Sequence, residues 1–435
     1  MKVKAASLLH PRRLDIVLKA RWFDALLKGQ GGAREEELYR WHIARRTGGF
    51  EKDSVYGGPS TKRTVDDYVD AGQALLASMR ARGFDEAHPV PVSRDGIILA
   101  GAHRVAAALA LGIDVEVEIH DEATLASPWG ASWMRSKGLS KDDLIPLLDD
   151  YVRLVPDAVV FVLWGTVDNG SLMRLLAPEF QAVGVVDLKE APETIAAIVQ
   201  DVYALPGNAD IPWLAGGLGG KVDQILAGSG VIRVVVARGD PKAARRVKER
   251  MRERAHPKVD RALYATCHAS SSRAEVLHLA NLLLQPTARE HLRLRRSRLP
   301  SEEMLRWLAT AHDTLRRLKI APADACVVGS GILDLLGIRK ATDIDLTVTA
   351  AVRRRLFDRR AQPIGDGVDL VTEGYHRTAG RRISDDVLIH NPEHHFWAFG
   401  LKFAALNIVA ARKAFSARPK DLADIAALQE GGLIE

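Results

Sequence analysis

The feature that most constrains this chain is a strand, a glycine turn and a short helix within residues 325–349. Cys326-Val327-Val328 predicts a buried strand, and Gly329-Ser330 predicts a tight turn. A helix is expected from Ile332 to Leu336, with Gly337 ending it in the left-handed conformation that glycine adopts readily. A turn at the positive end of a helix can direct backbone N–H groups and a hydroxyl towards a phosphate.

Two acidic residues follow on the next predicted strand. Residues two apart on a strand share a face, so Asp343 and Asp345 point the same way while Ile344 and Leu346 face the core. Neighbouring carboxylates repel each other, and a divalent cation between them removes the repulsion; hard oxygen ligands suit magnesium. The pair therefore predicts a Mg²⁺ site. The alternative is that both acids cap a turn and an exposed strand edge.

Gly329-Ser330, a short helix and Asp343-x-Asp345 on a strand resemble the signature of the polymerase-β-like nucleotidyltransferase superfamily. Asp369 lies on a further predicted strand, where that family keeps its third carboxylate. The resemblance implies a mixed-sheet domain over residues 300–435. It also implies that Asp343, Asp345 and Asp369 are catalytic and that the first two hold the metal.

The C-terminal tail adds to the resemblance. Lys420, Asp421 and Asp424 look like the Lys-Asp-x-x-Asp helix that closes many small members, including the abortive-infection toxin-like branch. In such a protein Lys402, Lys413 or Lys420 would neutralise charge on the nucleotide phosphates.

The resemblance implies Mg²⁺ as cofactor and a nucleoside triphosphate, ATP first, as substrate. Gly329 and Ser330 would grip the terminal phosphates, and Asp369 would orient or deprotonate an attacking hydroxyl. A degenerate member of the superfamily would retain the fold without the catalysis.

A second phosphate-binding pattern lies nearer the N-terminus. Val90-Pro91-Val92 predicts a strand, Asp95-Gly96 a hairpin turn, and Ile97-Ile98-Leu99 the returning strand. Gly101 then turns the chain into a helix from His103 to Leu111. Free N–H groups, the helix dipole and an arginine at its second position make this helix N-terminus a predicted anion site.

Gly101-Ala102-His103-Arg104 resembles the Gly-x-x-Arg signature of the ParB/sulfiredoxin superfamily, over residues 85–121. Its members include CTP-binding partition proteins, sulfiredoxins and kinases of free serine, and the resemblance implies that Gly101, His103 and Arg104 hold a nucleotide phosphate. Ala102 stands where sulfiredoxins carry a cysteine, and no helix-turn-helix is evident directly after the motif. The alternative is that Arg104 caps the helix and His103 is a surface residue.

Residues 156–295 predict a central α/β domain of unassigned role, because strand-like runs alternate with helical segments. Its stretch Gly216 to Lys221 is rich in glycine but lacks the full Walker pattern, which favours a loop before a helix. The helix expected from Pro241 to Arg254 is strongly basic, and acids within it favour a solvated face. Two interpretations of Thr266–Glu275 remain. Either a serine serves only as the N-cap of the following helix, or His268, Ser270 and Arg273 contact a substrate.

The composition favours a folded protein of several domains. The chain has 435 residues, of which 47% are hydrophobic and 27% charged, enough to bury sizeable cores. We expect an α/β and α+β multidomain fold: a helical N-terminus with a ParB/sulfiredoxin-like core in residues 1–150, the central domain, and the nucleotidyltransferase-like domain. A net charge of +6 permits anionic substrates; nucleic acid is allowed but not favoured.

The two cysteines, Cys267 and Cys326, lie far apart outside any Cys-x-x-Cys pattern, which argues against disulfides and a cysteine zinc site. Polar residues and a proline interrupt the N-terminus before it reaches signal-peptide length. No apolar run approaches the roughly 18 residues of a membrane span. We therefore expect a soluble cytoplasmic protein without a membrane partner.

Three functions are compatible with these patterns. The leading one is a Mg²⁺-dependent nucleotidyltransferase that moves NMP from an NTP to a hydroxyl acceptor, either a small molecule or a macromolecule. The second is an ATP-dependent small-molecule kinase that uses the His103-Arg104 site. The third is a nucleotide-gated DNA-binding or regulatory protein.

Overall fold

A computed structural model describes residues 1–29, 33–47, 62–121, 129–204, 218–255, 265–295, 300–357, 367–371, 376–378 and 380–434. Over these residues the protein is a mixed α/β multidomain protein with 18 α-helices and four sheets. The expected mixed fold class is thus confirmed. None of the described helices is both long and apolar enough to cross a membrane.

The chain divides into two compact units. The first comprises residues 1–161, 174–186 and 235–247, and the second comprises residues 162–173, 187–234 and 248–435. The three domains expected from the sequence, and their boundaries, remain predictions.

The N-terminal 154 residues contain three strands and six α-helices within the described ranges. In chain order these are β1 (Lys2–Lys4), α1 (Leu14–Lys28), α2 (Ala33–Thr47), α3 (Val65–Arg82), β2 (Val90–Ser93), α4 (Ala102–Leu111), β3 (Asp114–His120), α5 (Ala131–Ser136) and α6 (Lys141–Leu154).

The middle of the chain alternates strands and helices, as expected. Its elements are β4 (Ala158–Leu163), α7 (Asn169–Met173), β5 (Phe180–Lys189), α8 (Pro192–Tyr203), α9 (Gly219–Leu226), β6 (Val231–Gly239), α10 (Pro241–Ala255), β7 (Cys267–Ala269), α11 (Arg273–Leu283) and α12 (Pro286–Leu294). The strands form one sheet of order β5-β6-β4-β7.

The C-terminal elements carry the predicted carboxylates. They are α13 (Glu302–Arg317), β8 (Ala325–Val328), α14 (Gly331–Leu335), β9 (Ile344–Val348), α15 (Ala350–Phe357), β10 (Val368–Leu370), β11 (His376–Thr378), β12 (Arg381–Ile383), α16 (Asp385–His390), β13 (His395–Ala398), β14 (Leu401–Ala404), α17 (Leu406–Ser416) and α18 (Pro419–Glu430).

The first unit contains a three-stranded sheet in which β3 lies between β1, antiparallel to it, and β2, parallel to it. The expected hairpin is only partly formed. Gly96 turns with a positive φ of 74°, but the return strand reduces to a single bridge between Val92 and Ile98. The chain leaves the sheet there because Gly101 turns it into α4.

Helix α1 is the buried centre of the first unit. Its Trp22 ring stacks on Tyr39 with the centroids 4.0 Å apart. Asp15 is also fully buried, and it accepts hydrogen bonds from Arg13 Nε at 2.8 Å and Lys19 Nζ at 2.6 Å. One carboxylate therefore compensates two buried cations.

A mixed five-stranded sheet organises the C-terminal region, in the order β10-β9-β8-β14-β13. The β10–β9 and β8–β14 pairs are parallel, and the β9–β8 and β14–β13 pairs are antiparallel. Ile344 and Leu346 on β9 are buried, as their alternation with the acids predicts. Asp343, however, lies immediately before β9 rather than on it, because the strand begins at Ile344.

Candidate functional site

Two of the predicted carboxylates are cross-strand neighbours. The parallel register of β9 and β10 places Asp369 opposite Asp345 and Val368 opposite Ile344. Residues opposite each other in a sheet project from the same face, so the two carboxylates stand side by side. Asp343, directly before β9, accepts a hydrogen bond from Thr342 Oγ1 at 3.3 Å.

Charge and burial both act on Asp345. Burial raises the pKa of this carboxyl, and the negative charges of Asp343 and Asp369 raise it further. The positive charges of Lys420 and Lys413 oppose the increase without cancelling it. The structure therefore brings all three predicted carboxylates close enough to interact, and it places two lysines near them.

Gly329 lies directly against Asp345. Strand β8 pairs antiparallel with β9 so that Val328 is opposite Asp345, and the turn follows at once. A Cβ atom on Gly329 would lie 2.5 Å from Asp345 Oδ2, so the carboxylate would have to move, and the φ of 74° favours glycine. Ser330 precedes α14, which has only five residues, so backbone N–H groups rather than a helix dipole are what this turn offers to a phosphate.

Two local arrangements hold the acidic edge in place. The Asp334 carboxylate on α14 accepts hydrogen bonds from the backbone N–H groups of Ser301 and Ala341, each at 2.9 Å, which fixes the segment that leads to Asp343. Gly367 begins the β10 segment with a φ of 79°, and a Cβ atom there would lie 2.0 Å from Nε1 of the Trp307 indole. The Trp307 indole therefore occupies the space that a side chain at residue 367 would need.

The Lys-Asp-x-x-Asp segment starts α18 and forms a charged network with α17. Lys413 Nζ donates to Asp421 at 3.2 Å and to Asp424 at 2.6 Å. Arg418 also donates to Asp421, and Arg339 donates to Asp424 through two nitrogens at 2.6 and 2.8 Å. The two aspartates thus fix the position of Lys413 beside the carboxylates, whereas Lys420 is exposed.

Some of these groups line a pocket of about 160 Å³, whereas Ser330, Asp343, Asp369 and Lys420 are not among its lining residues. Its lining includes Gly329, Asp345, His376, Arg412, Lys413 and Arg418. The sheet thus supplies a carboxylate and a glycine turn to the pocket, and α17 with the start of α18 supplies cations. This is the charge arrangement that an anionic ligand accompanied by a cation requires.

His376 is a pocket residue that the sequence did not indicate. Its Nε2 lies 3.0 Å from Oδ1 of Asp385, which also pairs with Arg353. Burial alone would raise the pKa of Asp385, but the hydrogen bonds from His376 and Arg353 hold it below its usual value. No motif surrounds His376, and the short β11–β12 hairpin is what places it.

Lys402, one of the predicted phosphate ligands, lies apart from this pocket. It is buried on β14, and its Nζ donates to the backbone carbonyls of Ala323 at 2.7 Å and Ile389 at 2.6 Å. Its ammonium group thus joins two segments of backbone.

The donor set near Asp345 bears on whether Mg²⁺ could bind there. Among the described residues, no group of three or more His, Cys, Asp and Glu side chains is arranged to hold a metal ion by itself. Mg²⁺ is commonly held by one or two carboxylates, with substrate phosphates and water completing its octahedron. The mutually repelling oxygens of Asp343 and Asp345 fit a cation that binds together with a nucleotide.

The second predicted phosphate site has its side chains engaged internally. Gly101 turns into α4 with a φ of 83°, as expected, and Arg104 folds back over it to donate to the carbonyls of His88 and, at 3.3 Å, of Pro89. His103 Nε2 lies 2.9 Å from the Tyr39 hydroxyl, which itself donates to the Tyr68 carbonyl, so His103 is the donor of that contact.

The surroundings of His103 disfavour its protonated form. Burial is the largest cause of a pKa well below the usual value, and the positive charges of Lys19, Arg46 and Lys62 add to it. A phosphate at this turn would have to displace Arg104 from the two backbone carbonyls that it now contacts. Gly101, His103 and Arg104 are thus adjacent as predicted, in an arrangement closed by internal hydrogen bonds.

Comparisons with known proteins add no assignment to these geometries. No protein-family model matches the chain, and neither the curated proteins nor the solved structures give a match.

Proposed function

We propose that this protein is a Mg²⁺-dependent nucleotidyltransferase that transfers NMP from a nucleoside triphosphate to a hydroxyl acceptor. One observation carries the proposal: Asp345 stands beside Asp369 and against the Gly329 turn, in a pocket that also contains Lys413. Acidic, glycine-turn and basic groups in one pocket are the parts that phosphoryl-type transfer needs.

Each residue has a role that follows from its position. Asp343 and Asp345 hold the cation, which when bound neutralises phosphate charge and makes the α-phosphorus more electrophilic. The backbone N–H groups of Gly329 and Ser330 contact the terminal phosphates. Lys420, exposed and close enough to lower the pKa of Asp345, contacts a phosphate oxygen.

The chemical step balances without any further reactant. The acceptor oxygen forms a bond to the α-phosphorus, and the bond from that phosphorus to the bridging oxygen breaks. Pyrophosphate leaves with the electron pair, and Asp369 accepts the proton of the acceptor hydroxyl before passing it to water. Lys413, held by two aspartates, supplies a fixed positive charge beside this step.

His376 belongs to the same pocket. Its ring is oriented by Asp385, so it presents a fixed edge to the ligand rather than rotating freely. We assign it to substrate contact, as a hydrogen-bonding group for the acceptor or for a phosphate oxygen.

The experiment follows the fate of the label from each nucleotide. The purified protein is incubated with Mg²⁺, cell-extract small molecules and each of the four NTPs, labelled separately at the α- or γ-phosphate. We expect α-label in a product together with free pyrophosphate. Asp345→Asn should reduce this transfer by at least about 100-fold, because it removes a metal ligand.

The matched control is Asp313→Asn, which neutralises an acid on α13 whose side chain is 72% exposed. It should retain wild-type transfer. Unchanged turnover in Asp345→Asn would sink the proposal. A γ-labelled product with a nucleoside diphosphate left behind would move the chemistry to the kinase alternative at His103 and Arg104, and salt-dependent DNA binding without turnover would favour the regulatory alternative.

A further inference from the structure

The β11–β12 hairpin and helix α16 bring a histidine and a carboxylate together at the Asp345 pocket. His376 on β11 pairs across the hairpin with Ile383, and Asp385 follows two residues later as the first residue of α16. Strand β11 also packs against α17. The Arg377 guanidinium carbon lies 3.6 Å from the centroid of the Phe415 ring on that helix. The hairpin is therefore fixed to the helix that supplies cations to the pocket.

Hydrogen bonds hold the histidine from behind. Asp385 Oδ1 lies 3.0 Å from His376 Nε2, and Asp385 Oδ2 accepts from Arg353 Nη2. The same nitrogen of Arg353 also donates to Thr347 Oγ1 on β9 at 3.2 Å. The His376 and Asp385 side chains are only 8% and 5% exposed. Neither can turn away without breaking a buried ion pair.

The contact with Asp385 determines which ring nitrogen carries a hydrogen. Burial alone would raise the pKa of Asp385, but the hydrogen bonds from His376 and Arg353 hold it below the usual value, so the group is a carboxylate at neutral pH. A carboxylate only accepts hydrogen bonds, so His376 Nε2 is the donor. Among the described residues no hydrogen bond engages the other ring nitrogen, Nδ1. Nδ1 is therefore the nitrogen that can exchange a proton with a ligand.

The cavity places His376 on one side of the proposed reaction. His376 lines it together with Gly329 and Lys413, whereas Asp369 is not among the lining residues. In the proposed reaction the Gly329 turn contacts the terminal phosphates, and Asp369 receives the proton of the acceptor hydroxyl. The histidine is thus on the side of the leaving group.

Charged groups from several elements surround His376. Asp385 lies behind the ring and favours its protonated form, whereas the cations of the cavity oppose protonation. The charged groups of the cavity are Asp345 on β9, Arg412 and Lys413 on α17, and Arg418 and Asp421 around the start of α18; Arg377, Arg381 and Arg382 lie on the hairpin itself. The negative charge of nucleotide phosphates bound to these cations favours the protonated ring in the substrate complex.

We propose that His376 donates a proton to the departing pyrophosphate and that Asp385 is the positioning residue that holds its ring. The inference rests on the proposed transferase activity. As the bond from the α-phosphorus to the bridging oxygen breaks, the electron pair stays on that oxygen and takes the proton of Nδ1. The ring becomes neutral and keeps its Nε2 hydrogen bond to Asp385. Water then returns a proton to Nδ1, and Asp369 releases to water the proton of the acceptor, so the protons balance over one turnover.

The test follows α-label transfer with the nucleotide and the acceptor fraction that the labelling experiment selects. Glutamine at residue 376 can form hydrogen bonds but cannot transfer a proton. We expect His376→Gln to lower kcat by about 100-fold and to keep the KM for NTP within about threefold of the wild-type value. A change confined to kcat is the result expected for a group that acts only in the transition state.

The nature of the leaving group separates proton donation from a structural role. Two analogues carry a methylene or a difluoromethylene group in place of the oxygen between the β- and γ-phosphates. The methylene compound has the more basic leaving group, which depends more on a proton donor. The wild-type protein should use the two at rates within about threefold of each other, and His376→Gln should use the methylene compound at least about tenfold more slowly.

Asp385→Asn tests the positioning role. Without the carboxylate the imidazole is no longer held in one orientation, so kcat should fall by at least about tenfold with the same increase in leaving-group dependence. His390→Gln makes the matched replacement at an exposed histidine of α16. Asp386→Asn keeps an oxygen that can accept from the Ala350 N–H. Both controls should retain wild-type kcat and leaving-group dependence, and melting temperatures show whether each variant is folded.

The inference and the transferase proposal can fail separately. Wild-type kcat in folded His376→Gln, or a leaving-group dependence equal to that of the wild-type protein, would overturn the inference, while loss of transfer in Asp345→Asn would still support the transferase. Absence of transfer by the wild-type protein would overturn both. If His376→Gln does not fold, Asp385→Asn decides, because unchanged leaving-group dependence in that variant would equally overturn the inference.

Discussion

Asp369 stands directly opposite Asp345 across the parallel β9–β10 pair. Like charges placed opposite each other in a sheet destabilise it, and a folded protein retains such a pair only when the rest of the structure holds it in place. Three features hold the edge of the sheet that carries the carboxylates. They are the Gly329 turn after β8, the hydrogen bonds that Asp334 accepts, and the indole of Trp307.

Replacing Asp345 by asparagine should make the metal-free protein more stable. The folded-state pKa of Asp345 is raised, so between the unfolded and folded pKa values the folded state binds more protons. Stability therefore falls as the pH rises through that window, and the cost persists at neutral pH. We expect Asp345→Asn to gain up to about 1 kcal/mol at pH 7, since solvent screens part of the repulsion.

Urea unfolding in EDTA measures this change, with Asp313→Asn as the reference. Addition of Mg²⁺ should raise the melting temperature of the wild-type protein and leave that of Asp345→Asn nearly unchanged. A less stable Asp345→Asn protein would contradict the electrostatic account of the site.

Asp421 should make part of the fold sensitive to acid. The hydrogen bond from Arg418 is the largest cause of its pKa lying far below the usual value; burial opposes the shift, and Ser416 and Lys413 reinforce it. A carboxylate with a depressed folded-state pKa contributes stability above its unfolded pKa of about 4 and loses it as the pH falls towards the folded value.

Asp421→Asn is accordingly expected to cost about 1–2 kcal/mol at pH 7 and less at pH 3. Denaturant unfolding at both pH values is the measurement. Equal losses at both would mean that the contribution of Asp421 does not depend on its ionisation.

Lys402 and Lys420 should respond in opposite ways to substitution by methionine. Lys402→Met removes the partner of two backbone carbonyls, so it should lower the unfolding free energy by about 1–3 kcal/mol and leave the KM for NTP unchanged. Lys420→Met should leave stability unchanged and raise that KM by about tenfold. Melting curves and steady-state kinetics on the two variants give the comparison. A raised KM for NTP in folded Lys402→Met would indicate that Lys402 contacts a phosphate.

Asp15 should be among the most sensitive residues of the first unit. Asp15→Asn leaves the buried Arg13 and Lys19 without their carboxylate, an uncompensated charge that typically costs about 3–5 kcal/mol. Asp24→Asn on the same helix breaks an exposed pair with Lys28 and should cost less than about 0.5 kcal/mol. Chemical unfolding followed by tryptophan fluorescence would measure the loss of unfolding free energy in both variants. Similar losses would show that the buried pair stabilises the fold no more than the exposed pair does.

Local patterns were enough to predict the acidic side of the site. The order of strand, glycine turn, helix and acidic strand follows from residues close together in sequence, and the structure contains it with α14 beginning one residue early, at Gly331. The pairing of Asp369 with Asp345 was expected only through a resemblance, because parallel register depends on the intervening chain.

The basic side of the pocket could be predicted less completely. Lys402 and Lys413 look equivalent in the sequence, yet Lys402 bonds to backbone 13 and 79 residues away, while Lys413 bonds to α18. His376 has no neighbouring motif at all. Such assignments depend on long-range packing, which periodicity and spacing do not encode.

Because Gly329 lies against Asp345, a methyl group added at residue 329 would occupy the space beside the Asp345 carboxylate. An alanine there would displace the Asp345 oxygen and strain a backbone that glycine holds at a φ of 74°, while every titratable group and the net charge would be kept. Carboxylate substitutions cannot separate loss of shape from loss of charge, but this one can. In a living cell, a Gly329→Ala protein would separate the effects of the protein's chemical activity from the effects of its presence alone.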